Sequence, residues 1–137
     1  MSATTPTTDI ESATIKRNKE TVKAFYQAAI IEKDFSKVRP LLGDRYIQHN
    51  PQIADGFEGL QGFLTYLARN FPGVTLQIKR LVAEDDYVVS HVHGIRVPGQ
   101  PGASIIDIFR FENGKIVEHW DVAQTVPETA ANSNSMF

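Results

Sequence analysis

From Ala13 to Glu32 the apolar residues Ile15, Val22, Phe25, Tyr26, Ala29 and Ile30 recur at helical spacing. Such a stripe reads as an amphipathic helix, with Ser12 placed to cap it. Asp34 can cap a second, shorter helix carrying Val38, Leu41 and Leu42, which Pro40 should kink or shorten. A third is predicted from about Leu60 to Asn70, where Leu60, Phe63, Leu64 and Leu67 share one side and Pro72-Gly73 ends the run. Beyond Gly73 the period falls toward two. Four segments follow, VTLQIKRLVAE, YVVSHVHGIRV, ASIIDIFRFE and KIVEHWDVAQT, separated by Asp85-Asp86, by PGQPG (98 to 102) and by Asn113-Gly114. Connections this short imply antiparallel hairpins, because a parallel pair needs a crossover. The expected class is α+β, about three N-terminal helices packed over a curved antiparallel sheet. The polar stretches 1–11 and 127–137 read as flexible tails around a single domain, 12–126.

Loop lengths decide which polar residues share a face. In FENGK, a two-residue Asn113-Gly114 turn pairs Glu112 with Lys115 and sets Asp107 opposite Trp120, with His119 and Asp121 on the other face. A three-residue loop with Gly114 in the left-handed position pairs Phe111 with Lys115 and sets Asp107 opposite His119. Only this second register makes Arg110 and Glu118 diagonal neighbours on one face, so it is preferred. A symmetric PGQPG loop pairs Val97 with Ala103 and His93 with Asp107, unless a bulge intervenes. On these registers His91, His93, Asp107, His119 and Asp121 share one face with Val89, Ile95, Phe109, Phe111 and Val117. The opposite face carries Val88, Val92, Ile106, Ile108, Ile116, Trp120 and Val122. Both faces are apolar enough to need a cover. The helices can cover one, and a second copy of the chain is the expected cover for the other, giving a homodimer.

Composition narrows the chemistry. The absence of cysteine removes disulfides, thiolate nucleophiles and cysteine-based metal sites. A net charge of −2, from 14 basic and 16 acidic residues mixed along the chain, offers no footprint for nucleic acid or acidic lipid. The opening MSATTPTTDIESAT has neither a basic region nor an apolar run, and no segment approaches membrane-spanning length. The expectation is a cytoplasmic protein with no nucleic-acid or membrane partner.

YIQHNP (46 to 51), Gly56-Phe-Glu-Gly59 ahead of a helix, and DIFRFENGKIVEHWDV (107 to 122) resemble the SnoaL-like polyketide cyclases of the nuclear transport factor 2-like, ketosteroid-isomerase-like superfamily. The resemblance spans residues 14 to 125, and its most specific part is the G-K-I-x-E-H-W-D string. It implies a cone-shaped α+β fold enclosing an apolar pocket, a dimer, and a site without cofactor or metal. It also implies that Asp121 is the acid/base of an intramolecular aldol cyclisation and that Asn50 is a pocket asparagine. Asp107 departs from the pattern, standing where comparable cyclases carry histidine.

Taking a proton from carbon beside a carbonyl requires a base aimed at that carbon and donors for the enolate oxygen. Asp121 in an apolar pocket suits the first task, since desolvation raises a carboxylate's pKa. Asp107 could couple to it, with His119 beside both. Asn50, His49, Tyr46, His93, His91 and Phe109 complete the expected contacts to a hydrophobic small-molecule ligand. The simpler alternative is that Asp107 and His119 are a buried pair satisfying each other. His91 and His93 point the same way and, with His119 or Asp107, could complete a zinc-like set, yet half-buried strand histidines are ordinary and no metal is expected. The leading expectation is an enzyme of lyase or isomerase type acting on a hydrophobic carbonyl compound through Asp121. Its rival is a non-catalytic pocket or dimerising module of the same fold.

Overall fold

A computed structural model describes residues 11–137, so the tail expected over 1–11 lies, apart from Glu11, outside the described residues. Helix α1, Ala13–Tyr26, starts where expected, with the Ser12 hydroxyl accepting the Ile15 N–H at 3.1 Å. The helix does not run uniformly to Glu32. Its end, Gln27–Ile31, widens into a π-helical turn that buries Ala28 and Ala29. Asp34 caps α2, Phe35–Val38, by accepting the Ser36 N–H at 3.0 Å. Pro40 shortens it as expected, and Arg39–Leu41 tighten into a 3₁₀ turn. Helix α3, Gly56–Asn70, begins one turn before the apolar stripe. Its close entry requires glycine at 59, where a Cβ would lie 1.7 Å from the Ala54 carbonyl oxygen.

Five strands follow the order β1-β5-β4-β3-β2, namely Leu42–Gln48, Lys115–Thr125, Ala103–Glu112, Tyr87–Ile95 and Thr75–Glu84. The fold is α+β, helices on a curved, unclosed sheet. The four expected segments are antiparallel. The fifth, β1, was not expected and runs parallel to β5, with Gln48 beside His119. Its sequence, LGDRYIQ, lacks the alternation that marks a strand. The core between helices and sheet is built on Val22, Phe25, Val38, Val88, Phe109 and Ile116. No helix among the described residues is long and apolar enough to cross a membrane.

Both hairpin registers differ from expectation. The β4–β5 turn is the two-residue Asn113-Gly114 form, with φ of 50° and 76° and Glu112 paired with Lys115. Positive φ at both central residues makes it type I′, the turn whose twist suits a hairpin. A bulge then leaves Val117 as an extra residue, between Phe111 paired with Ile116 and Arg110 paired with Glu118. That one residue restores the parity which the turn alone would reverse. Asp107 therefore pairs with Asp121, and Phe109 with His119, all on the concave face.

The β3–β4 loop is the larger correction. The turn is centred on Pro98-Gly99, where the Gln100 N–H donates to the Val97 carbonyl and Gly99 has φ of 88°. Proline followed by a positive-φ glycine is the signature of a type II turn. A ladder continued from Val97 and Gln100 arrives at Gly94 opposite Ala103, as observed, rather than at Val97 opposite Ala103. Asp107 consequently pairs with Ser90, not with His93. His91 and His93 fall on the outer face, and Val88 and Val92 move inward. Residues 127–137 form no helix or strand, and the Phe137 ring stacks 4.0 Å from that of His93 on the outer face.

Candidate active site

A cavity of about 270 Å³ opens between the concave face and the helices. Its walls are apolar, with Leu60, Leu64 and Leu67 from α3, Phe25 from α1 and Ile105 and Phe109 from β4. To its lining β4 and β5 deliver Asp107, His119 and Asp121, while β1 and the turn after it deliver Tyr46, Gln48 and Asn50. The polar groups are connected to one another rather than scattered.

Asp107, 7% exposed, is the hub. Its Oδ2 accepts the Tyr26 hydroxyl at 2.5 Å, and its Oδ1 faces His119 Nε2 at 2.8 Å. The Tyr26 hydroxyl also touches the Ser90 Oγ, and Ser90 is fully buried. On the other side of the imidazole, His119 Nδ1 lies 2.9 Å from Gln48 Oε1, which also accepts the Asn50 backbone N–H at 3.0 Å. That N–H identifies the Gln48 atom as oxygen, so Nδ1 carries a hydrogen. Nε2 makes the ring's other hydrogen bond, to Asp107. A buried carboxylate with a donor on each oxygen satisfies the hydrogen-bond demand of its site. The simpler reading of Asp107 and His119, a mutually satisfied pair, matches this geometry.

Asp121 is held differently. Oδ1 accepts the Asn50 side-chain amide at 2.7 Å, whereas Oδ2, 3.9 Å from His119 Nε2, accepts no hydrogen bond from the described residues. Burial raises the carboxyl above its ordinary value and Asp107 adds to the rise, while His119 and the Asn50 amide oppose it. Tyr26 and Tyr46 are both pushed up by burial first and by Asp107 next, which keeps the two phenols protonated and able to donate.

Three residues expected to contact a ligand lie elsewhere. His49 sits on the outer face, its ring stacked 4.6 Å from Trp120 and its Nε2 2.7 Å from Glu118. Alternation along the chain turns it outward, because Gln48 already takes the inner place beside His119 while the His49 N–H donates to the His119 carbonyl at 2.9 Å. His91 donates from Nε2 to Ser104 at 2.8 Å and receives Arg80 at Nδ1. His93 donates to the Pro101 carbonyl at 2.7 Å. The Pro98-Gly99 turn turns both histidines away from His119, so the zinc-like set that included them is not assembled. The ligating atoms that do converge belong to Asp107, His119 and Asp121, within 4.8 Å of one another. A cation there would have to break the hydrogen bond between Asp107 and His119.

A profile of the SnoaL-like polyketide cyclases matches residues 20–131. The chain belongs to that family. Its fold is shared with TsrD from Streptomyces laurentii, at 26% identity and a TM-score of 0.63 over 83% of this chain and 90% of that one. A proposed polyketide cyclase from Bacillus cereus superposes at 18% identity and a TM-score of 0.72, over 85% and 80% of the two chains. An NTF-2 like protein from Burkholderia xenovorans does so at 22% and 0.64, over 85% and 89%. No curated protein matches the chain.

Within this SnoaL-like cavity, Asp121, Asp107, His119, Asn50, Tyr46 and Phe109 are brought together. Tyr26 and Gln48 join them without having been expected, and Ser90, outside the lining, supports the Tyr26 hydroxyl from behind. Tyr26 belonged to the apolar stripe of α1, although a buried tyrosine hydroxyl ordinarily needs a partner. Ser90 alternates with Val88 and Val92, which marks it as a buried polar residue once the register is right.

Proposed function

We propose that this SnoaL-like protein is a small-molecule enzyme of lyase or isomerase type that acts on a hydrophobic carbonyl compound, with Asp121 as acid/base. The observation that carries the reading is the asymmetry of the Asp121 carboxylate, one oxygen fixed by Asn50 and the other unengaged at the cavity wall. Membership of the cyclase family supports it.

In this reading Asp121 Oδ2 removes a proton from the carbon beside the substrate carbonyl, and Tyr46 donates to the developing enolate oxygen. For an aldol cyclisation the enolate carbon bonds to a second carbonyl carbon of the same molecule. The new alkoxide takes its proton from the Asp121 carboxylic acid, which regenerates the base. Asp107 and His119 act by position, holding β1, β4 and β5 in register around the reacting group. The rival, a pocket that binds without reacting, shares the fold and lacks any dependence on Asp121.

The outer face suits the second copy of the chain that we also propose, because Val122 is 69% exposed there and Val82 58%. Soaking crystals with acetylnaphthalene tests the site. The ketone should lie in the cavity with its methyl carbon against Asp121 Oδ2; binding only on the outer face would sink the assignment.

A further inference from the structure

The cavity has a further polar residue. Arg96, one residue beyond β3, is the only Lys or Arg among the residues that line it. It is exposed, so it stands at the opening rather than inside. Its guanidinium carbon lies 5.2 Å from the centroid of the Phe71 ring, a cation–π contact that keeps the charge at the rim. Among the described residues it forms no ion pair, unlike Arg45 and Arg110, which hold Glu112 and Glu118. Glu58 and Asp55 share the shallow depression outside the rim, yet neither pairs with it, and Asp55 is engaged by the Gln48 N–H at 2.8 Å. The cavity is thus mostly apolar, with Arg96 at its opening and with Asp107 and Asp121 level with Ser90, which stands six residues before Arg96 along the chain.

We propose that Arg96 anchors a carboxylate on the substrate, which makes the ligand class hydrophobic carbonyl compounds bearing one carboxylate at the end remote from the reacting ketone. This deepens the reading of Asp121 and rests on it. A single guanidinium matches a single flat anion, with two parallel N–H donors for its two oxygens. Orientation follows from the charges. The acidic pair Asp107 and Asp121 repels an anion, so the carboxylate stays at Arg96 and the neutral carbonyl end goes to Asp121. The Pro98-Gly99 turn sets Arg96 at the end of β3, and hence at the mouth.

The test is calorimetric titration of the full chain with 4-(4-acetylphenyl)butyrate, a methyl ketone and a carboxylate at opposite ends of an apolar body, and with its methyl ester, which lacks the charge. The wild type should bind the acid about fivefold more tightly than the ester, the range of an exposed ion pair. Arg96→Gln should abolish that preference by weakening the acid alone, Arg96→Lys should keep part of it, and added salt should erode it. Equal binding of acid and ester to the wild type, or an equal loss of both in Arg96→Gln, would overturn the role of Arg96 and leave Asp121 untouched. Failure of both probes to bind would overturn the cavity reading together with it. An intact Arg96 preference alongside unchanged chemistry in Asp121→Asn would remove only the acid/base assignment.

Discussion

Asp121 accepts one side-chain hydrogen bond, from Asn50, which lowers the pKa of its carboxyl against the larger effect of burial. Burial raises its pKa, so it is protonated at pH values where an ordinary aspartate is already charged. The folded state then holds this proton more tightly than the unfolded chain, and the carboxyl favours folding more as pH falls through that window and less as pH rises. In the mechanism we propose, activity through the base form has the opposite slope, failing on the acid side. Asn50 lowers the pKa, so Asn50→Ala should move the acid limb of kcat to higher pH. An unmoved or acid-shifted limb in the pH profile would contradict the Asn50 contact. The sequence pointed to Asp121 because motif and parity coincide there, and to Asn50 and Tyr46 through the YIQHNP resemblance alone. Tyr26 and Gln48 were hidden because their roles depend on contacts across 81 and 71 residues of chain.

At the scale of elements, one extra residue decides the site. The Asn113-Gly114 turn would send His119 and Asp121 to the face opposite Asp107, and the bulge at Val117 brings them back. The concave grouping of those three residues was legible, though the expected loop was wrong: charge pairing of Arg110 and Glu118 constrained parity, not the position of the irregularity. Their bond, 2.7 Å from Nε to Oε1, lies across the ladder rather than diagonally. At the other hairpin the information was present, since Pro98-Gly99 is a type II turn signal, but centring the loop on Gln100 reversed the face of His91 and His93. A bulge or off-centre turn has no periodic signature, whereas helix caps such as Ser12 and Asp34 are local and readable. Gly114 has φ of 76°, and a Cβ on it would meet nothing within 4 Å, so only backbone strain opposes a side chain there. Gly114→Ala should cost about 1 kcal/mol in chemical denaturation; a neutral result would contradict the type I′ turn.

The molecule as a whole has two sheet faces, and its helices cover one of them. Helices close the concave one around the cavity. The outer one exposes Val122 and Val82 beside Tyr87, which is 42% exposed. Two apolar faces were legible from strand composition, as was the shared face of Asp107, Phe109, His119 and Asp121 on β4 and β5, whereas β3 was not, because its register error exchanges the faces of the whole strand. On the dimer we propose, Val122→Lys should shift sedimentation toward a monomer and lower the unfolding midpoint only at concentrations where the wild type is dimeric, since the 69% exposed side chain is no part of its own core. A dimer unaffected by the charge would place the interface elsewhere.

The central claim is that Asp121 moves a proton to and from carbon inside this cavity. Acetylnaphthalene incubated with the protein in deuterated buffer should lose its methyl proton signal faster than in buffer alone. Asp121→Asn should reduce that acceleration by roughly 10²–10⁴-fold, the contribution of a positioned general base. Exchange as fast in the variant as in the wild type would contradict the account.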